Sequence, residues 1–128
     1  MNKYALAAVE AANLCIRNTK LRPIDAWEKA ITRFYDAKSP ARKKSCPRNA
    51  FLGLCGAGLV KGIAPGEYTD SQKNAEYAVH AVNELVNDVK LASDLRALWE
   101  RVIGEAKEHN SQMDVVVALW NAKLITRT

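Results

Sequence analysis

Apolar residues along this chain recur at intervals of three and four, the spacing that places them on one face of an α-helix. From Lys3 to Ile16 the chain is apolar almost all round, with alanine at positions 5, 7, 8, 11 and 12. Lys3, Glu10 and Arg17 lie seven residues apart, so they return to nearly one azimuth and form a narrow wet stripe. The pattern predicts a central helix whose alanines let neighbours approach closely. After Asn18-Thr19-Lys20, Pro23 can begin a second helix without losing a hydrogen bond. Ile24, Trp27, Ile31 and Phe34 supply its inner face, its end is expected near Ala37, and Asp25 and Lys29 should pair on its outer side. Ser39-Pro40 breaks it, and Ala41-Arg42-Lys43-Lys44-Ser45 reads as a basic loop.

Pro47 opens a short third helix, Arg48 to Cys55, which Gly56-Ala57-Gly58 ends. Leu59 to Ile63 reads as another short helix or as tight turns leading into Pro65-Gly66. Thr69 and Gln72 have the spacing of a capping box at the head of the most regular stripe, Ala75, Ala78, Val79, Val82, Leu85, Val86 and Val89. Ser93 is placed to cap the next helix. Its inner face is Leu95, Leu98, Trp99, Val102 and Ala106, and Arg101 and Glu105 can pair on its surface. A last helix is expected from Gln112 to Leu124. Its run Val115-Val116-Val117 would suit a strand, but Met113, Val116, Val117, Trp120 and Leu124 keep helical spacing and no second strand offers pairing. The fold class is therefore all-α: a single compact bundle of five to six helices with short connections, one domain over residues 1–128.

With 128 residues, 48% of them hydrophobic, the chain can bury a core that needs neither disulfide nor metal. No stretch approaches the roughly 18 apolar residues of a membrane span, so no membrane contact is expected. The apolar N-terminal segment contains Glu10 and Arg17 where a signal peptide would want an uncharged core. Cys15, Cys46 and Cys55 are odd in number and widely spaced, without a CxxC pair. That usage suits a reducing, cytoplasmic location and argues against a disulfide framework.

Charge adds what periodicity does not. Residues 17–48 hold ten Lys or Arg against three acids, a net of +7, while residues 1–16 are neutral and residues 49–128 sum to −2. A regional surplus of this kind can concentrate anions by long-range attraction, or it can simply keep a loop and a helix face solvated. Arg42, Lys43, Lys44 and Arg48 are the candidate anion-binding residues, with nucleic acid or an acidic protein surface as the partner. A second copy of the chain is the alternative partner, through the Gly56 turn and the Tyr77 ridge.

The parts for familiar chemistries are missing. In Gly53-Leu54-Cys55-Gly56-Ala57-Gly58-Leu59-Val60-Lys61-Gly62, Leu59 and Val60 stand where a phosphate loop needs Lys and then Ser or Thr, and no strand precedes it for a dinucleotide fold. These glycines read instead as a helix stop and a close approach of neighbouring helices. A helix-turn-helix reading of the same stretch leaves a reading helix of about six residues with only Lys61 to touch DNA. Cys46, beside Lys44 and Arg48 near a helix N-terminus, is the best nucleophile candidate and the basis of an alternative, thiol-dependent enzyme, with His80 or His109 as its base. Two distant histidines without matching carboxylates make no metal pattern, and nothing calls for a cofactor. Tyr77, His80 and Glu84 form a ridge opposite the apolar stripe of their helix, and Trp27, Trp99 and Trp120 read as core.

The segment Cys46-Pro47-Arg48-Asn49-Ala50-Phe51-Leu52-Gly53-Leu54-Cys55, continuing through Gly58-Leu59-Val60-Lys61-Gly62-Ile63 to Gly66-Glu67-Tyr68-Thr69, resembles a family of small bacterial proteins of unknown function. The resemblance covers about a quarter of the chain and implies no activity for these residues. The sequence thus leads to a cytoplasmic, non-enzymatic binding protein with residues 17–48 as its contact surface.

Overall fold

A computed structural model describes residues 2–104 and 107–126. Six α-helices follow one another: α1 (Lys3–Arg17), α2 (Pro23–Ile31), α3 (Ser45–Gly56), α4 (Gln72–Asn87), α5 (Leu95–Ile103) and α6 (Gln112–Asn121). The all-α bundle expected from the periodicity is the fold that forms, and a single hydrophobic cluster joins all six helices. Helix α1 buries Ala7, Ala8, Ala11 and Ala12 completely, and α2 and α6 pack against it. Small side chains on this central helix leave room for large ones opposite, and Trp27 of α2 stacks on Phe51 of α3 with ring centroids 5.6 Å apart. The buried indole N–H of Trp27 finds no acceptor among the described residues, a cost that burial of the ring has to outweigh. No helix among the described residues is long and apolar enough to cross a membrane.

Several boundaries differ from the sequence expectation, each for a local reason. Helix α2 stops at Ile31, not near Ala37. The Thr32 hydroxyl donates to the carbonyl of Lys29 at 2.6 Å and competes with the helical ladder, and turns carry Phe34 and Tyr35 back to the core. Asp25 pairs with Arg22 at 2.8 Å rather than with Lys29. The basic loop is in part a turn of 3-10 helix, Pro40–Lys43, capped by Ser39. Helix α3 starts earlier than Arg48, because Pro47 fits its first turn, where the missing N–H would have had no partner anyway.

Caps shift by one or two residues. Ser71 rather than Thr69 caps α4, accepting from the Asn74 amide at 3.4 Å, and the Thr69 hydroxyl turns to Asn49 Oδ1 at 2.8 Å. Asp94 rather than Ser93 caps α5, with Ser93 ending a 3-10 turn, Val89–Ser93. Ala106 and Glu105 lie outside the described residues, and Arg101 meets Glu84 at 3.9 Å.

The Val115–Val117 run is helical, as its spacing required. Helix α6 nevertheless ends at Asn121 instead of Leu124. Lys123 takes a left-handed backbone (φ 62°), and the chain then extends so that Val60 and Ile125 form one antiparallel bridge. Lys61 donates to the carbonyl of Leu124, and Thr126 to that of Leu59, each at 2.8 Å. Leu59–Ile63 is therefore a set of turns around this bridge.

Candidate functional site

Three of the ten cations of residues 17–48 have a carboxylate partner: Arg17 and Arg33 share Glu10 at 3.6 and 2.9 Å, and Arg22 is held by Asp25. The other seven, Lys20, Lys29, Lys38, Arg42, Lys43, Lys44 and Arg48, have none within 4.0 Å among the described residues. Lys43 and Lys44 are exposed, while Arg42 and Arg48 are half-buried.

Tertiary packing adds to this charge. The Asn2 side chain, which caps α1, donates to Ser111 at the head of α6 at 3.3 Å. Gln112, in the first turn of α6 and almost fully buried, donates to Asn74 in the first turn of α4 at 3.2 Å. The Tyr4 hydroxyl donates to the carbonyl of Ala41, in the 3-10 turn just before α3, at 2.9 Å. The N-termini of α1, α3, α4 and α6 thus gather at one end of the bundle. Each carries about half a unit of positive charge from its aligned peptide dipoles. Together with Arg42, Lys43, Lys44 and Arg48 they make a cationic pole that Asp114, in the first turn of α6, offsets only in part, and an anion there relieves the remaining repulsion.

Two groups at the pole titrate away from their usual range. Tyr4 is pushed up to about 12, by burial first and then by its hydrogen bond with Tyr35 and the charge that Tyr35 can carry. His109 is pushed down, chiefly by burial; Asp114 works the other way, and Lys44 adds to the lowering. His109 Nε2 accepts the amide of Met113, which fixes the neutral tautomer with its proton on Nδ1. No capping pattern in the sequence pointed to this histidine.

Cys46 sits half-buried in the first turn of α3. No hydrogen bond joins it to either histidine among the described residues, for His80 lies 3.5 Å from Glu84 and His109 is engaged by Met113. Cys15 and Cys55 are buried and their thiols are pushed up by desolvation, with the charge of Cys15 adding at Cys55. The expected Tyr-His-Glu ridge divides: His80 is exposed, but Tyr77 turns its ring edge-on to Trp99, 5.5 Å away.

The glycine-rich segment does what close helix packing needs. A Cβ on Gly53 would fall 2.4 Å from Ala75 Cα, so α3 and α4 touch backbone to backbone there. One on Gly56 would fall 2.6 Å from the carbonyl oxygen of Gly66, which accepts no substitute for that space. The extended strap 64–71 is thereby laid along α3, pinned to it by Gly66 N–H to Gly56 C=O (3.1 Å) and Thr69 O–H to Asn49 Oδ1, while Tyr68 O–H to Ala64 C=O (2.6 Å) braces the strap internally. Strap, α3 and α4 line an open cleft of about 450 Å³.

A family model described as "Family of unknown function (DUF6979)" matches residues 1–126, and the chain belongs to that family. No curated protein and no solved structure matches it.

Proposed function

We infer that this is a cytoplasmic, non-enzymatic binding protein whose partner is anionic, and that it meets this partner at the pole formed by Arg42, Lys43, Lys44 and Arg48. The observation that carries the reading is that, among the described residues, these four side chains have no carboxylate partner where four helix N-termini converge. Cations used to hold a fold together sit beside acids, as Arg33 does with Glu10. These four, like Lys20, Lys29 and Lys38, lack such an acid, and their place beside the helix N-termini is what sets them apart as the group left for an external charge. Phosphate is the anion best suited to them, because ammonium and guanidinium groups and helix ends all donate to its oxygens. Nucleic acid therefore comes ahead of an acidic protein surface. The aromatic residues packed here, Tyr4 and Tyr35, face each other at 5.3 Å, so contact with a phosphate backbone accounts for binding better than base stacking does.

The test is a salt titration of binding to labelled single- and double-stranded oligonucleotides. Affinity should fall linearly on logarithmic axes, and replacing Arg42, Lys43 and Lys44 with alanine should flatten the slope by about two to three. A slope that the triple variant leaves unchanged overturns the reading.

A further inference from the structure

The cleft between α3, α4 and the strap 64–71 has chemistry opposite to that of the pole. Its floor is apolar, built by Leu52, Gly53, Ala75 and Val79, and Tyr68 forms a wall. Glu67 and Glu76 stand at its rim, both exposed, and neither is within 4.0 Å of a cation among the described residues. Among the described residues no Lys or Arg lines the cleft, and the one histidine that does, His80, lies 3.5 Å from Glu84. In a chain of net charge +5, two unpaired carboxylates over a pocket free of Lys and Arg make a locally negative mouth above an apolar floor. The volume of about 450 Å³ lies within the range of small-molecule sites. The walls are preformed, because the Gly53–Ala75 contact fixes the helix pair, two hydrogen bonds pin the strap to α3 and a third braces it internally.

We propose that this cleft binds a small organic cation, an amine with a flat apolar body. The body lies on Leu52, Gly53 and Val79 against the Tyr68 ring, and the ammonium group meets Glu67 and Glu76 at the rim. An anionic ligand of the same shape is turned away by the two carboxylates. A neutral one gains only the apolar contact, so charge sets the preference. An ammonium held near the face of Tyr68 gains further from the ring quadrupole. The site is separate from the cationic pole and requires none of its residues.

The experiment is a titration of the full chain, followed by amide NMR, with three probes sharing one ring system: tryptamine, indole and indoleacetate. Tryptamine should shift the amides of Gly53, Gly56, Tyr68 and Val79 saturably. The double variant Glu67→Gln, Glu76→Gln should weaken tryptamine about tenfold and leave the weaker binding of indole unchanged. Indoleacetate should bind the parent more weakly than indole does. Tryptamine shifts that map outside the cleft or fail to saturate overturn the proposal. So does indoleacetate binding as tightly as tryptamine, or a tryptamine affinity that the double variant leaves unaltered.

Discussion

His109 Nε2 accepts the backbone N–H of Met113 at 2.9 Å and so supplies the side-chain cap that Ser111, in a left-handed conformation, does not give to α6. The bond exists only while the imidazole is neutral. Burial disfavours the charged ring in the folded state, and Lys44 adds to that, with Asp114 (4.0 Å) opposing. The unfolded chain therefore binds the proton more readily. Stability from this group is complete above its ordinary pKa of about 6.5 and is lost as pH falls below that value. Denaturation midpoints measured across this window should drop on acidification. His109→Ala should remove that step and cost about 1 kcal/mol at neutral pH.

Tyr4 gives the opposite limb. Its phenol is raised to about 12 in the folded protein, so its contribution is complete below its ordinary value near 10 and is lost as pH climbs toward about 12. Tyr4→Phe gives up the hydrogen bond to Ala41, about 1 kcal/mol, and should show a shallower alkaline decline than the parent. Paired urea titrations at neutral and alkaline pH measure the difference.

Gly53→Ala tests the contact of α3 with α4. Alanine favours a helix, yet its methyl group would meet Ala75 Cα at 2.4 Å, and two backbones must separate to admit it. Overpacking should win, with a loss of about 1–3 kcal/mol by chemical denaturation. A gain in stability would show that the helices slide apart freely.

The three thiols should separate by reactivity. Cys46 is partly exposed, whereas Cys15 and Cys55 are buried and held protonated by desolvation. A thiol reagent applied to the native protein should modify Cys46 first, with Cys15 and Cys55 reacting only on unfolding. Mass spectrometry of digested, partly labelled protein reads the order directly.

The helices were legible because amphipathic spacing is a local property: α4 with Ala78, Val82 and Leu85 buried, and α1 with its alanines, could be read along the chain. Their ends were less so. Thr69, Asp70 and Ser71 are all competent caps, and so are Ser93 and Asp94; the choice between neighbours follows from distant partners such as Asn49. The loss of Phe34 from α2 likewise depends on a hydroxyl competing for one carbonyl, an effect of a few tenths of a kcal/mol that periodicity does not register.

By itself the sequence determined an all-helical chain with its surplus of cations in residues 17–48, since side-chain periodicity and charge are written residue by residue. Tertiary packing set which of those cations face acids, brought four helix N-termini to one end with four of the unpaired ones, and left at Gly53 and Gly56 a cleft rimmed by Glu67 and Glu76. Those relations join residues far apart in the chain. They are fixed by the direction and azimuth at which helices pack, and a helical repeat carries no information about either.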